Sequence, residues 1–428
     1  MLQNLINSFV NMVDTVMIGR LGTTEIAAVG LGNQVFFLFN MTLFGICSGG
    51  AIFTAQFWGK KDLQGIRKNT GLCLILDTAV ALLFTILAIT IPERIIGIYS
   101  GDEAVIEQGA LYLRTLAPSY IPFGISFVFI LTLRSIEKVR LAMVSTLIAL
   151  SVNMSLNWVL IFGAGPVPAM GVKGAAIATV IARIIETIIL VTVSYRRKYQ
   201  MAGTLKEYTA FNWAFAARFF TITGPVIFNE VIWALGISVQ NVIFARTGTD
   251  AIAAFNITNT FSQLTWVVFI GLGNGVAVLI GKKIGEGAED TARDYAGKIS
   301  VFAPLLAGAV ALVLYPLSKL LPFIFNVDQH VLAYISVMFI ILCCSYPFRA
   351  FNMTVIVGIC RAGGDTIFCV LFEMLFMWGY SLPLGAFMAF AVHAPVWLIY
   401  LCLCSEDLCK MFCGLWRLRS GKWLRNVT

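Results

Sequence analysis

The acidic side chains Asp14, Asp77, Glu186, Glu230, Asp365 and Glu373 fall within or at the edge of long apolar runs. In hydrocarbon an ionisable group is costly and needs a partner, water or an ion, so the chemistry to expect is cation binding or proton exchange. Asp14 closes a stripe with Asn4, Asn7 and Asn11, spaced three or four residues apart on one helix face. Such a face either bonds to neighbouring helices or borders water. The acid at its end, and the polar Gln240 in the equivalent place of a second copy described below, favour a wet cavity with an ion-sensitive Asp14. Glu230, in PVIFNEVIWALG, follows Pro225, whose ring frees a carbonyl and lets a helix bend. A carboxylate there can bind a cation or be satisfied by a neighbouring helix. Asp365, in CRAGGDTIF, can do the same or cap the helix that follows its two glycines. Glu186 has Arg183 one turn away and is expected to form an ion pair. Asp77 is read as close enough to an interface to snorkel. Glu373, in LFEMLFMW, has no base within a turn and receives no role.

Further polar faces accompany these acids. Asn256, Asn259 and Gln263 form a one-sided stripe, and Asn153 and Asn157 lie one turn apart. With Asn7, Asn11 and Asn33 they are the expected lining of a cavity. Phe36, Trp233 and Trp266 lie among the stripes, where aromatic rings suit aromatic or cationic guests, although packing is their commoner use.

The elements that must carry these groups are membrane helices. The 428-residue chain is 59% hydrophobic and only 12% charged, too little polar surface for a soluble globule. Apolar runs at 1–19, 26–57, 69–92, 105–133, 138–163, 172–195, 212–245, 250–281, 296–325, 329–359, 366–390 and 394–413 read as about 12 spanning helices. No alternating strands appear, which excludes an outer-membrane barrel. Most of the 30 lysines and arginines, including Lys410, Arg417, Arg419, Lys422 and Arg425, fall in one set of alternate loops and the tail. The other set holds Arg20, Arg94, Arg114, Lys173, Arg246 and Lys319, so both termini are expected in the cytoplasm of a multi-pass protein of the cell's inner (plasma) membrane.

The first part of the chain is repeated in the second. RLGTTEIAAVGLGN (Arg20 to Asn33) lies without a gap on RTGTDAIAAFNITN (Arg246 to Asn259), and Gly45, Gly49, Ala51 and Gly59 fall on Gly271, Gly275, Ala277 and Gly285. An even number of spans precedes the second copy, so the halves are parallel repeats, the organisation of a two-lobed transporter. The expected division is an N-terminal lobe at 1–198, a cytoplasmic linker at 199–211, a C-terminal lobe at 212–413 and a basic cytoplasmic tail at 414–428. Met1 leads straight into LQNLINSFVNMVDTVMIG with no charged n-region or cleavage site, which makes it a spanning helix rather than a signal peptide. The second copy adds the lead-in FNWAFAARFFTITGP, so the first helix is expected to lack about 15 residues of its counterpart.

Other classes are poorly served. The net charge of +8 is mostly juxtamembrane and suits an anionic leaflet, not nucleic acid. The 10 cysteines lack metal or disulfide spacing and read as apolar filler. The histidines, His330 and His393, sit near span edges with no nucleophile or ligand cluster, which argues against an enzyme. No Walker loop is present, so ATP is not the expected energy source. No cofactor is expected.

VDTVMIGRLGTTEIAAVGLG, NEVIWALG, NWVLIFG with GVKGAAIAT, and RAGGDT together resemble the MATE (multidrug and toxic compound extrusion) family over nearly the whole chain. The resemblance implies an all-α integral membrane fold in which two six-helix bundles form a V-shaped transporter. It implies a monomer that exchanges small organic cations or drugs for sodium ions or protons by alternating access. Asp14 matches a first-helix aspartate used for cation coupling in one branch. Glu230 and Asp365 match the seventh- and tenth-helix acids of the NorM-like branch, and make the first candidate for a sodium site. Asn153 matches a polar fifth-helix position, but Asn157 stands where the DinF-like archaeal pattern has aspartate, which weakens an N-terminal two-acid proton site. The alternative within the superfamily is a lipid or lipid-linked oligosaccharide flippase. Those carry 14 spans and a basic cavity in that resemblance, whereas the bases inside the spans here are expected to be few, chiefly Arg183 and Arg349.

Overall fold

A computed structural model describes residues 17–19, 21–317 and 329–428. Asp14, Asn7 and Asn11 lie outside the described residues. Among those described, the regular structure is helical throughout, with one isolated bridge between Ala164 and Val167. The described residues pack as two compact units, divided between Phe220 and Thr221.

In the first unit the long helices are α1 (Thr23–Lys60), α2 (Leu63–Thr90), α4 (Glu103–Leu116), α5 (Tyr120–Ser135), α6 (Val139–Phe162) and α7 (Gly171–Arg196), with the short α3 (Pro92–Gly97) before α4. Their ends are written in the sequence. Lys61 takes a left-handed conformation that closes α1, and Asp62 then caps α2 by accepting from the Gly65 amide at 2.9 Å. Asp102 caps α4 in the same way. The core forms where α1, α2, α4 and α5 meet, around Phe39, Leu43, Leu113 and a Tyr120 ring stacked 4.7 Å from Phe39. The short α8 (Leu205–Tyr208), held by a Thr204–Glu207 capping box, crosses α2 at Gly71. A Cβ at Gly71 would stand 2.1 Å from the Tyr208 carbonyl, so only glycine admits that crossing.

The boundary between the units falls within α9 (Trp213–Thr247), whose opening residues Phe215 and Phe219 pack on Phe53. The second unit continues with α10 (Thr249–Gly285), α11 (Glu289–Leu317), α12 (Gln329–Met353), α13 (Thr366–Glu373), α14 (Leu382–Phe390) and α15 (Val396–Ser420). Wider π turns run over Thr354–Cys360 after α12 and over Met374–Ser381 between α13 and α14. One core gathers Phe244, Phe255, Phe339, Tyr346 and Tyr400, and a second gathers Ile280, Ile359 and Trp423.

Among the described residues, 10 helical segments are long and apolar enough to cross a membrane. Large apolar side chains such as Leu82, Leu83, Ile86, Leu312 and Val313 stand exposed along them, as lipid-facing side chains do. The expected span at 394–413 is helical within α15 but carries Glu406, Asp407 and Lys410.

Candidate functional site

The polar groups of the first unit are largely turned inward and bonded. Asn153 and Asn157 are buried on α6, where Asn157 donates to Asn153 at 3.3 Å and Asn153 donates to Thr179 of α7 at 3.2 Å. Asn33 is exposed on α1 and accepts from the Tyr112 hydroxyl at 3.4 Å. Glu186 is buried with Arg183 at 2.9 Å and the Thr146 hydroxyl at 2.8 Å, so the expected ion pair is present. The Arg183 guanidinium also lies over the Phe123 ring. Asp77 departs from expectation. It stands midway along α2, about 20 Å from either end at the helical rise, and is fully buried, so it cannot snorkel.

The acids of the second unit are gathered by bases brought in from other helices. Glu230, on α9, holds Arg361 with an Nη1–Oε1 distance of 2.6 Å. Arg361 follows the π turn after α12. Asn229 supports the pair: with its amide oriented to satisfy both ends, its oxygen accepts from Arg361 Nη2 at 2.8 Å and its nitrogen donates to the Cys369 carbonyl at 3.2 Å. Asp365 occupies the residue before α13 but makes no side-chain cap bond. Its carboxylate instead accepts from Arg417 Nε at 2.7 Å and faces Arg425 at 3.0 Å. The structure thus brings Glu230 to one end of the 361–365 turn through Arg361, while Asp365 at the other end holds two arginines of its own. Among the described residues, no group of three or more His, Cys, Asp or Glu is placed to hold a metal ion.

Arg417 reaches that turn from the last turn of α15, and Arg425 reaches it because the chain after α15 folds back. Gly421 turns it, Trp423 is wholly buried, and the Arg425 amide donates to the Gly363 carbonyl at 3.0 Å. A Cβ at Gly363 would lie 1.9 Å from the Trp423 carbonyl, so the glycines of RAGGDT serve this contact.

Sequence reasoning missed a second charged cluster. Lys410 of α15, assigned to a loop, is buried and binds Glu373 of α13 at 3.0 Å and Glu406 at 3.5 Å. One turn earlier on α15, Asp407 accepts from Arg349 Nε at 2.8 Å, and its carbonyl accepts from Asn352 at 2.7 Å. Arg349 also donates to Ser262 of α10 at 3.3 Å. Beside Arg349, the bases Arg361, Lys410 and Arg417 are also drawn into the packing of this unit, each matched to a carboxylate. The spacing of Glu406, Asp407 and Lys410 within an apolar run was the available signal, since such a trio inside a span needs partners.

The remaining candidates lie on α9 and α10. Asn256 and Gln263 are exposed, and Asn259 is half-buried. Trp233 and Trp266 stack with centroids 6.0 Å apart and rings nearly parallel, while Trp378 donates to the Ile232 carbonyl beside them at 3.2 Å. Phe36 packs on Phe39, Tyr120 and Phe123 in the first unit's core.

The family model MatE matches two stretches of the chain, residues 1–159 and 225–392. A probable multidrug resistance protein NorM of Thermotoga maritima is 23% identical over 427 residues, covering 99% of this chain and 91% of that protein. A probable multidrug resistance protein NorM of Photorhabdus laumondii is 26% identical over 392 residues, covering 89% and 83%. The fold matches the crystal structure of the Vibrio cholerae MATE transporter VcmN in the bent form, with a TM-score of 0.88, 17% identity and coverage of 99% and 95%.

Proposed function

The chain belongs to the MatE family, and on that footing we propose that it is a secondary active multidrug efflux antiporter. It exports organic, often cationic, compounds in exchange for sodium ions or protons, as a monomer in the plasma membrane with both termini in the cytoplasm. The names of the NorM relatives support the substrate class. Alternating access is by rocking of the two repeats.

The observation that carries the coupling is the Glu230–Arg361 pair, a buried carboxylate on a spanning helix whose charge is met by a guanidinium. A sodium ion or proton at Glu230 takes over the work of Arg361 and frees it. A ligand shifts a conformational equilibrium only through its different affinity for the two states. Cation binding therefore drives the cycle if the Arg361 contact exists in one state and is broken in the other. A cationic substrate competes for the same carboxylate, and linkage makes the competition reciprocal. Asp365 is neutralised by two arginines, and its part is to fix the turn from which Arg361 reaches Glu230. Asp14 is retained as the sequence-based candidate of the N-terminal lobe.

A flippase would offer unpaired bases to a phosphate headgroup. Arg349, Arg361, Lys410 and Arg417 each hold a carboxylate, which supports the efflux reading over that alternative. Cells lacking their own pumps and expressing this chain are expected to expel ethidium when an inward sodium or proton gradient is imposed, and to stop when both are collapsed. Ethidium retention identical to that of cells without the chain would refute the proposal.

A further inference from the structure

Asp77 is a buried carboxyl group for which the coupling scheme above has no use. It lies midway along α2 with no exposed surface, and among the described residues it has no ion pair. Its Oδ2 accepts from the Cys47 thiol of α1 at 3.0 Å, and its Oδ1 has no hydrogen-bond partner among the described residues. On the side of α5, a Cβ at Gly124 would stand in ordinary contact with the Asp77 backbone carbonyl, 3.5 Å away, so α5 packs on this stretch of α2. An ionised carboxylate in such surroundings carries a large desolvation cost with nothing to offset it, and the usual resolution is to bind a proton.

The same faces of α1 and α2 carry a polar track away from Asp77. Asn69, Cys73 and Asp77 follow each other at single-turn spacing on α2, opposite Thr54, Gly50 and Cys47 of α1. Asn69 donates to the Gly50 carbonyl and to the Thr54 hydroxyl, each at 2.8 Å, and its own Oδ1 is buried with no partner among the described residues. The track points toward the α1–α2 connection at Lys61 and Asp62.

We propose that Asp77 is a proton-binding site of the N-terminal repeat, loaded in the described state and emptied along the Thr54–Asn69 track when water enters it. This rests on the antiport reading and adds a second ion in the other repeat from Glu230. The step is a simple transfer: the Asp77 carboxylic acid gives its proton to water and becomes a carboxylate, while the Cys47 thiol keeps its proton and continues to donate. The groups able to alter its charge are few. Cys47 faces it from α1 and Cys73 lies one turn away on α2. Of the other elements packed on α2, α5 carries Tyr120 and Arg134, α8 brings Glu207 and Tyr208 to Arg67 and Gly71, and α4 brings Arg114, with Glu93 of α3, to Ile89.

The test is infrared spectroscopy of the full-length protein in lipid vesicles, together with transport driven by a proton gradient. The unmutated protein is expected to show a carboxylic-acid C=O band that moves on deuterium exchange and on 13C-aspartate labelling. Asp77→Asn should lack that band and lose proton-driven ethidium transport. Thr54→Val should keep the band but slow deuterium entry into it. No 13C-sensitive acid band in the unmutated protein overturns the proposal without any reliance on a variant. A band lost in Asp77→Asn with proton-driven transport unchanged also overturns it, leaving Asp77 a neutral packing group. If the unmutated protein moves ethidium under neither gradient, the efflux reading fails, and the acid band with its deuterium exchange still decides whether Asp77 holds an exchangeable proton.

Discussion

Arg361→Ala is expected to destabilise the protein by about 3–5 kcal/mol, the range found when one partner of a buried ion pair is removed. The side chains of Arg361 and Glu230 are only 5% and 10% exposed, so truncating the arginine leaves a carboxylate with neither counter-ion nor water. Asn229 loses its guanidinium donor in the same step. Thermal unfolding in detergent, followed by the loss of a monodisperse peak, measures the effect. Adding Glu230→Gln to Arg361→Ala should recover most of the loss, because the double variant buries no unpaired charge. Arg361→Lys keeps the charge but not the planar fork, and should fall between. An Arg361→Ala protein as stable as the unmutated one would mean that Glu230 is already neutralised by something else.

Lys410→Met is expected to cost a similar amount, about 3–5 kcal/mol, but to need two compensating changes instead of one. Lys410 serves both Glu373 and Glu406, each with a side chain 12% exposed. Removing the ammonium strands both acids, and the Glu406 Oε2 has no other partner. Glu373→Gln alone should restore part of the lost stability in Lys410→Met, and the triple variant with Glu406→Gln most of it. The same unfolding measurement orders the series. Full recovery by either single glutamine would show that Lys410 holds one acid only.

The helices and the repeat were legible because they are local or periodic properties. Apolar runs and capping residues such as Asp62 and Asp102 stand in the sequence as they stand in the fold. Glu186 was also legible, since Arg183 is its neighbour on the same helix face. The remaining charge pairs join residues far apart in the chain. Nothing near Glu230 announces Arg361, and nothing near Glu373 announces Lys410; only packing of α9 and α13 against distant segments supplies them. Depth was misjudged for the same reason. Asp77 and Lys410 sit close enough to charged loops in the sequence to read as interfacial, but a helix of 28 residues puts Asp77 at its middle, and packing buries Lys410 against Glu373 and Glu406. The glycines of RAGGDT gave a turn but not its partner, because Trp423 arrives from the other end of the chain.

The account turns on Glu230 as the carboxylate at which coupling cation and substrate compete. It is tested most directly by Glu230→Gln protein reconstituted in liposomes, with ethidium movement followed under imposed sodium and proton gradients. The unmutated protein should exchange ethidium against at least one gradient and Glu230→Gln against neither. Glu230→Gln exchanging ethidium for sodium or protons as fast as the unmutated protein would contradict the assignment.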